Sequence, residues 1–212
     1  MRAGRGPDRR FFDLWSHIYD WPLVQRLTYR PEQDAVLREL RRGACRRLLD
    51  VGCGTGLLTS RVSRALPGIE VVGCDFSRGM LREACGNGPA VDFVRGDALR
   101  LPFRDGAFDA VISTEAFHWF PDQSAALVEF FRVIAPKGRL LVSLINPPLE
   151  ALSEVTRVGS QLVGGPLYWP TREKMRLQTE EAGFRVEDQR MIFRLPLGLV
   201  MPSVLTVATR PG

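Results

Sequence analysis

The sequence lacks any long apolar run. None of the stretches in its 212 residues approaches the roughly 20 apolar residues that a helix needs to cross a bilayer, so we expect no transmembrane helix. The basic N-terminus is not followed by the apolar segment of a secretory signal peptide, and we therefore expect a cytoplasmic protein. The composition, 45% hydrophobic and 25% charged, suits a globular chain with a full core.

Cysteine is also scarce, and its spacing does not suit a metal site. Cys45, Cys53, Cys74 and Cys85 form no CxxC pair and show no zinc-ligand spacing, so we expect no metal. Three of them lie in or beside apolar segments of strand or helix character. The pattern therefore predicts buried free thiols in a reducing compartment.

Lysine occurs only at Lys137 and Lys174, although the net charge is +5. All other basic residues are arginines, scattered from end to end. The densest groups, at 9–10 and 41–47, lack the interleaved aromatic residues of a base-stacking surface. Nucleic-acid binding therefore stays open on charge alone.

The most informative stretch is RLLDVGCGTG, residues 47–56. An apolar run with Asp50 near its end breaks into glycines at alternate positions, Gly52, Gly54 and Gly56. Apolar residues at helical spacing follow directly. The stretch predicts a strand, a tight turn and a helix N-terminus, which together offer free backbone N–H groups and a positive dipole end to an anion.

Strand and helix patterns alternate through the rest of the chain. Strands are predicted at 48–51, 70–74, 91–94, 108–113, 139–145, 184–193 and 203–209, and helices at 8–20, 31–42, 57–66, 77–85, 122–134, 152–162 and 171–183. Repeated strand–helix units with apolar strands predict an α/β fold, a doubly wound, mostly parallel seven-stranded sheet with helices on both faces. No linker divides it, so we expect one compact domain behind a helical N-terminal segment.

Three acids, Asp50, Asp75 and Asp97, end or follow the first three predicted strands. Ligands of such sheets bind outside the carboxyl ends of the strands. Asp75, 23 residues beyond Gly52, can accept hydrogen bonds from two ribose hydroxyls, and Asp97 can accept from an adenine amine. The GxGxG spacing is tighter than a pyrophosphate turn and suits a small carboxylate. A carboxylate, a ribose and an adenine together describe S-adenosylmethionine; the alternative is that both acids only form turns or caps.

Four stretches support this interpretation. They are LLDVGCGTG (48–56), VVGCDFSRGM (71–80), GDALRLPFRDGAFDAVIS (96–113) and FFRVIAPKGRLLVS (130–143). With these stretches in this order and spacing, the sequence resembles the class I S-adenosylmethionine-dependent methyltransferases of the methyltransferase-11, UbiE-like group. The resemblance covers about half of the chain and implies a Rossmann-like fold with S-adenosylhomocysteine as product.

The resemblance also implies a role for individual residues in binding the cofactor. These residues are Asp50, Gly52, Gly54, Gly56, Asp75, Phe76, Met80, Asp97, Ala98 and Thr114. The first four would hold the methionyl end, and Asp75 would bind the ribose. Phe76 and Met80 would pack on the adenine, and Asp97 and Ala98 would recognise its amine. Thr114 would make backbone contacts near the sulfonium.

The loop TEAFHWF, residues 114–120, would face the methyl group. His118 is the candidate base or substrate contact; the alternative is a histidine that is hydrogen-bonded to backbone and shapes the loop. Trp119 is a candidate for core packing, cofactor packing or substrate contact. A base is needed only if the acceptor arrives protonated.

The acceptor pocket is expected in the parts that the family pattern determines least. Trp15 and Tyr19 at the N-terminus and Tyr168 in the insertion at 146–170 are candidate substrate contacts. In relatives such an N-terminal segment lies across the cleft, so we predict a helical lid at 1–43 and a methyltransferase core at 44–212. Helical spacing alone would make the N-terminal aromatics a packing face. Aromatic, weakly charged walls suggest a small, partly apolar acceptor. We expect a monomer or a homodimer.

Four alternatives are weighed against this prediction. An RNA-modifying methyltransferase would need a contiguous basic face beside the cleft. A non-catalytic protein could keep the cofactor fold as a module that binds S-adenosylmethionine, but the intact Asp50, Gly54, Asp75 and Asp97 are evidence against it. An NAD-dependent oxidoreductase would need GxGxxG and a second nucleotide-binding half. Asn146-Pro147-Pro148-Leu149 is similar to the NPPY signature of amino-methylating enzymes, but it follows the fifth strand instead of the fourth.

Overall fold

The computed structural model of the chain describes residues 29–86, 91–162, 167–192 and 202–212. Within them, the strands are β1 (Arg47–Val51), β2 (Glu70–Asp75), β3 (Asp92–Arg95), β4 (Phe108–Thr114), β5 (Ile134–Ile145), β6 (Arg185–Met191) and β7 (Ser203–Thr209). The α-helices are α1 (Arg30–Arg42), α2 (Leu57–Ala65), α3 (Arg78–Gly86), α4 (Gln123–Val133), α5 (Glu150–Leu162) and α6 (Arg172–Glu181), and Phe117–Trp119 forms one 3-10 turn.

The strands form a single sheet in the order β3-β2-β1-β4-β5-β7-β6. β7 runs antiparallel to both of its neighbours, and the other pairs are parallel. The predicted seven-stranded, mostly parallel sheet is therefore confirmed. The strand order reverses between β1 and β4, and the crevice at their carboxyl ends is where ligands of such sheets bind.

Helices cover both faces of the sheet, as predicted. On one face α1 and α2 contribute Val36, Leu40 and Val62, which are fully or almost fully buried against β1 and β4. On the other face α4 and α6 contribute Phe130 and Met175, which are also fully buried. Because both faces of the sheet are covered by helices, large apolar side chains are buried on each side, and this burial stabilises the sheet.

An ion cluster fixes α1 to the far half of the sheet. Glu39 is only 4% exposed and lies 2.6 Å from an Nη of Arg139 on β5, and it also pairs with Arg190 on β6. Burial opposes ionisation of Glu39, but hydrogen bonds from Arg190 and Arg139 outweigh it and the pKa of Glu39 is lowered. A buried carboxylate between two guanidinium groups thus holds the second helix of the predicted N-terminal segment.

The first helix of that segment, with Trp15 and Tyr19, lies outside the described residues. The division into a lid at 1–43 and a core at 44–212 therefore stays a prediction. Among the described residues, none of the helices combines the length and the apolar character of a bilayer-spanning segment.

One predicted boundary was wrong. β5 begins at Ile134, which pairs with Phe108, and not after the turn at 136–138. The register then shifts so that Arg139 pairs with Ala110, and the turn bulges out of the strand. Lys137 has a φ of 65°, so the chain turns sharply at the predicted place. The strand resumes because the residues after it are again apolar and buried.

The cysteines carry free thiols, as expected, but they are not all buried. Cys74 is buried, Cys45 and Cys53 are half-buried, and Cys85 is exposed on α3. The apolar pattern of α3 buries Leu81 instead. Cys85 lies four positions further along that helix, where the chain is about to leave it.

Candidate functional site

The predicted glycine turn lies at the carboxyl end of β1. Gly52, Gly54 and Gly56 have φ angles of 73°, 55° and 73°, all in the left-handed region that glycine adopts without strain. The N–H of Gly52 donates to the carbonyl of Cys74 on β2 at 2.8 Å. The turn is therefore tied to the neighbouring strand before α2 begins.

The three glycines serve different purposes. A Cβ on Gly52 would lie 2.3 Å from the Cβ of Ala116, and one on Gly56 would lie 2.7 Å from the ring of Phe93. A Cβ on Gly54 would meet no atom of the described residues within 4 Å. Gly52 and Gly56 thus allow close packing, whereas Gly54 leaves backbone open to a ligand. An open, left-handed turn at a helix N-terminus fits the carboxylate of an amino acid.

Asp50 lies beneath this turn and is only 1% exposed. Its carboxylate accepts a hydrogen bond from Oγ1 of Thr59 on α2 at 2.7 Å. Burial raises the pKa of Asp50 to about 7, the Thr59 bond lowers it, and the charge of Asp75 raises it further. The group is therefore divided between its two protonation states near neutral pH.

Asp75, at the end of β2, closes the turn from the other side. One carboxylate oxygen accepts from the N–H of Gly54 at 2.9 Å, and the other accepts from the N–H of Ser77 at 2.8 Å. Burial raises the pKa of Asp75, although these backbone hydrogen bonds favour its charged form. A carboxylate offers about four acceptor positions, so capacity remains for a hydroxyl of a ligand.

Asp50 and Asp75 therefore place two buried acids at one turn, close enough for the charge of Asp75 to affect Asp50. A positive group between or beside them would relieve this repulsion. S-adenosylmethionine carries two positive groups, an ammonium and a sulfonium. The two carboxylates at the turn thus fit the positively charged methionyl end of that cofactor.

The position expected for adenine lies at the ends of β2 and β3. Phe76 is 58% exposed, and the guanidinium of Arg95 lies 5.6 Å from the centre of its ring. Nε of Arg95 also donates to the carbonyl of Phe76 at 3.2 Å. Met80 is half-buried one turn further along. Arg95 was not predicted as a site residue from the sequence. Its only signal was its position as the last residue of β3, where it lies opposite Asp75 in the register of the sheet.

Asp97 and Ala98 lie in the segment that follows β3. Asp97 is exposed, and its side chain accepts from the N–H of Leu99 at 2.9 Å. Ala98 is 8% exposed. Asp97 therefore forms a turn, which is the alternative role considered for it. This turn holds its exposed carboxylate at the carboxyl edge of the sheet.

The loop after β4 lies directly against the glycine turn. Thr114 ends the strand half-buried, and Ala116 is the residue whose Cβ would clash with a side chain on Gly52. The ring of Phe120 would lie 3.8 Å from the same added Cβ. The structure therefore brings together the two segments to which the sequence assigns the cofactor and the acceptor.

His118 occupies the 3-10 turn of this loop and is only 6% exposed. Its ring stacks on that of Trp169 with centroids 5.0 Å apart. The ring of Trp119 lies 5.3 Å away and is tilted by 40° relative to the imidazole. Burial lowers the pKa of His118 to about 3, so the imidazole is neutral at physiological pH. Its Nδ1 is buried and has no hydrogen-bond partner among the described residues.

Tyr168 links the insertion to this loop. Its N–H donates to the carbonyl of His118 at 3.0 Å, and its carbonyl accepts from Gln123 at 2.9 Å. Its hydroxyl lies 3.2 Å from Glu150, and the ammonium of Lys174 lies 4.8 Å from its ring. The backbone carbonyl of His118 thus ties the loop to the insertion, while its ring faces aromatic neighbours.

The NPPL segment has a structural contact. The side-chain amide of Asn146 donates to the carbonyl of Pro170 at 2.7 Å, and its N–H donates to Pro202 at 2.9 Å. Asn146 is 1% exposed. It anchors the insertion to the strand ends, which agrees with reading the motif as non-catalytic. In the described parts of the chain, no group of three His, Cys, Asp or Glu side chains could hold a metal ion.

Residues 49–142 match the family described as methyltransferase domain. The chain is 38% identical over 174 residues to a demethylmenaquinone methyltransferase of Thermus thermophilus, covering 71% of this chain and 79% of the relative. It is 34% identical over 219 residues to a phthiotriol/phenolphthiotriol dimycocerosates methyltransferase of Mycobacterium ulcerans, covering 99% of this chain and 78% of the relative.

Solved structures share the fold. A SAM-dependent methyltransferase from Thermotoga maritima superposes with a TM-score of 0.74 and 23% identity, covering 95% of this chain and 97% of that one. The [4+2]-cyclase SpnF superposes with a TM-score of 0.75 and 21% identity, covering 99% of both chains. The fold is thus shared by proteins whose names give different reactions. It is the sequence identity to the two bacterial methyltransferases that shows that this chain belongs to the class I S-adenosylmethionine-dependent methyltransferases.

Proposed function

We propose that this enzyme transfers the methyl group of S-adenosylmethionine to a small, partly apolar acceptor bound beside His118. The observation that carries the proposal is the direct contact between the glycine turn and the loop after β4, through Gly52 and Ala116. This contact sets the open side of the turn and the aromatic loop next to one another. A donor and an acceptor bound at the two would be held close together, which is the main requirement of methyl transfer.

The cofactor would be held by the residues that the sequence predicts. The open space beside Gly54 would admit the methionyl end, and Asp50 would attract the ammonium. Asp75 would accept from the ribose, and Phe76 would cover the adenine together with Met80. When bound, S-adenosylmethionine supplies a methyl group already activated by its sulfonium. The protein therefore needs to bind, align and exclude water, and it needs no strong nucleophile of its own.

The acceptor would lie against the stack of His118 and Trp169, with Trp119 and Tyr168 at its edges. Aromatic rings provide a surface on which flat or apolar groups bind. Nδ1 of His118 has no partner among the described residues and could pair with a hydroxyl or amine of the acceptor. Because burial holds its pKa at about 3, His118 would act as a neutral hydrogen-bonding group across the physiological range.

The names of the relatives support an acceptor of this kind. They give demethylmenaquinone for the Thermus thermophilus enzyme and phthiotriol or phenolphthiotriol dimycocerosates for the Mycobacterium ulcerans enzyme. Both names describe small molecules and neither describes a nucleic acid.

The arginines lend less support to an RNA acceptor. Those with an acidic partner are Arg42, Arg47, Arg61, Arg132, Arg139, Arg157, Arg176, Arg185 and Arg190. A carboxylate beside each of these arginines balances its charge locally and weakens its attraction for phosphates.

A thermal-shift experiment tests the cofactor assignment. S-adenosylhomocysteine should raise the melting temperature of the protein, by roughly 2–4 °C for each kcal/mol of binding free energy, while NAD should leave it unchanged. Asp75→Ala should remove the response because it deletes the ribose acceptor and releases Gly54. Glu173→Ala, on the exposed face of α6, serves as the matched control. An equal response to both ligands, or to neither, would exclude the proposed cofactor.

An acceptor screen then tests the reaction. The protein would be incubated with methyl-labelled S-adenosylmethionine and a set of quinones, hydroxylated lipids, small amines and RNA. Label should pass to a small, partly apolar compound and not to RNA. Transfer to RNA alone would favour the RNA-modifying alternative, and binding without any transfer would favour the non-catalytic one.

A further inference from the structure

Two glutamates that the proposed reaction does not use place buried carboxyl oxygens at the loop after β4. Glu32, in the first turn of α1, is 4% exposed, and Glu115, directly after β4, is half-buried with its Oε1 atom covered by protein. The N–H of Glu115 donates to the carbonyl of Ser143 on β5 at 2.8 Å. Its φ of 50° directs the chain into the loop, and the next residue is Ala116, which touches Gly52.

Both carboxyl groups lie at the carboxyl end of β5, because Glu115 is bonded to Ser143 and the hydroxyl that reaches Glu32 belongs to Ser203, which pairs with Ile145 in register. They are close enough for the charge of Glu32 to raise the pKa of Glu115. Ser203, at the start of β7, donates to the first oxygen of Glu32. The second oxygen, Oε2 of Glu32, and Oε1 of Glu115 are both buried, and no N–H or O–H group of the described residues donates to either. A proton held between the two carboxyl groups would give these oxygens the partner that they lack.

The surroundings favour such a proton. Among the described residues, the groups that act on the pair are the hydroxyls of Ser203 and Ser143, the backbone at Ile145 and the two carboxyls themselves. None of them carries a positive charge. Burial therefore raises the pKa of Glu32, and burial together with the neighbouring Glu32 raises that of Glu115 well above its usual range.

We propose that Glu32 and Glu115 are positioning residues that share one proton and so hold α1 against the loop that carries His118. The consequence for the active site follows from the chain itself. Release of this contact would free Glu115, and Ala116 one residue on would no longer be held against Gly52. The pair thus connects the N-terminal helix to the glycine turn, and its influence on turnover rests on the proposed function.

The sign of the pH dependence follows from the raised pKa values. Stabilisation by the protonated pair is fully present below the pKa of an exposed glutamate and is lost as the pH rises through the raised values. Alkaline pH would leave two charges facing one another in a buried site. We therefore expect the contact to weaken as the pH rises, and not as it falls.

The test compares Glu115→Gln with the wild-type protein between about pH 6 and pH 9. The amide keeps the size of the side chain and donates to Glu32 without needing a proton. The wild-type melting temperature should fall relative to that of the variant as the pH rises, by roughly 3–6 °C for each tenfold change in the folding equilibrium. Asp50 titrates in the same range, but it is present in both proteins and cancels in the difference.

The affinity for S-adenosylhomocysteine distinguishes a positioning role from a purely structural one, because a purely structural contact would not change its pH dependence. Glu115→Ala should weaken binding of S-adenosylhomocysteine at every pH, and Glu115→Gln should restore it with a flatter pH profile. Glu173→Gln, an exposed carboxyl paired with Arg176, should keep the wild-type profile. Identical pH profiles for the wild type and Glu115→Gln would overturn the proposal.

Two further measurements test the proposal if the first experiments fail. If S-adenosylhomocysteine does not bind, the proposed function fails, but the melting experiment on ligand-free protein still tests the pair. If Glu115→Gln does not fold, the infrared spectrum of the wild type at about pH 8, above the pKa of Asp50, decides. A carbonyl band of a protonated carboxylic acid is expected there, and its absence would contradict a shared proton.

Discussion

The glycine turn and the loop after β4 touch one another, yet they are built in opposite ways. The turn is made of backbone, since three left-handed glycines and the N–H groups of Gly54 and Ser77 fix its shape. The loop is made of side chains from distant parts of the sequence, as the stack of His118 on Trp169 shows. A backbone site tolerates few substitutions and suits a constant ligand. A site of stacked side chains can change its ligand by changing residues.

The largest effect on cofactor affinity is expected from the turn. Gly52→Ala would force a Cβ to within 2.3 Å of Ala116 at a φ of 73°, which should lower the free energy of unfolding by about 2–5 kcal/mol and abolish binding. Gly54→Ala has the same kind of backbone strain without a clash, so it should lower that free energy by only about 1–2 kcal/mol.

Urea unfolding and titration with S-adenosylhomocysteine measure the two effects separately. Gly54→Ala should fold and still bind at least tenfold more weakly, because its methyl group would occupy the open side of the turn and about 1.4 kcal/mol corresponds to tenfold. Wild-type affinity in this variant would mean that the ligand does not approach the turn from that side.

These glycines also show what could be predicted from sequence. The turn, the acid after β2 and the seven strands were predicted because each depends on residues close together in the chain. The ring of Phe76 under Arg95 and the pair of Glu32 with Glu115 could not be, since each depends on strand or helix neighbours set by the tertiary fold. Alternation and spacing indicate which face a residue occupies, and they do not indicate what lies opposite.

β5 shows the same limit within one element. The turn at 136–138 was predicted from its Pro-Lys-Gly sequence, but the pairing of Ile134 with Phe108 ahead of it was not. A turn is determined by the torsion angles that its own residues prefer. The pairing depends on the partner strand, and here it places the turn inside the strand as a bulge.

A smaller effect is expected from Asp50, because it changes the charge of the turn and not its shape. With a pKa of about 7, Asp50 must be ionised to attract an ammonium group, so affinity for S-adenosylhomocysteine should rise with pH up to about 7. Below that value it should fall by at most about tenfold per pH unit, in addition to any change from other groups.

The stability of the ligand-free protein should show the opposite trend. Because the pKa of Asp50 is raised on folding, its stabilising contribution is complete below about pH 4 and is lost as the pH rises through about 7. Calorimetric titration and thermal unfolding at a series of pH values measure both trends. Asp50→Asn keeps the shape and the bond to Thr59 but should flatten both profiles. Persistence of either profile in this variant would assign the titration to another group.

The smallest effect on cofactor affinity is expected on the other side, at His118. His118→Phe keeps a flat ring that can stack on Trp169 and removes a buried nitrogen that has no partner among the described residues. We expect the free energy of unfolding to change by less than about 1 kcal/mol and the affinity for S-adenosylhomocysteine to stay within about twofold.

Turnover is where His118→Phe should separate the two regions. With an acceptor found in the screen, loss of the hydrogen bond at Nδ1 should lower kcat/KM by about tenfold or more, since a hydrogen bond in a buried site contributes on the order of 1–2 kcal/mol. The wild-type profile should show no titration of His118 between pH 5 and 8, because its pKa is about 3. Normal turnover in the variant would leave His118 as a stacking residue of the loop. The aromatic wall alone would then select the acceptor, and the contrast between a backbone site and a side-chain site would become sharper.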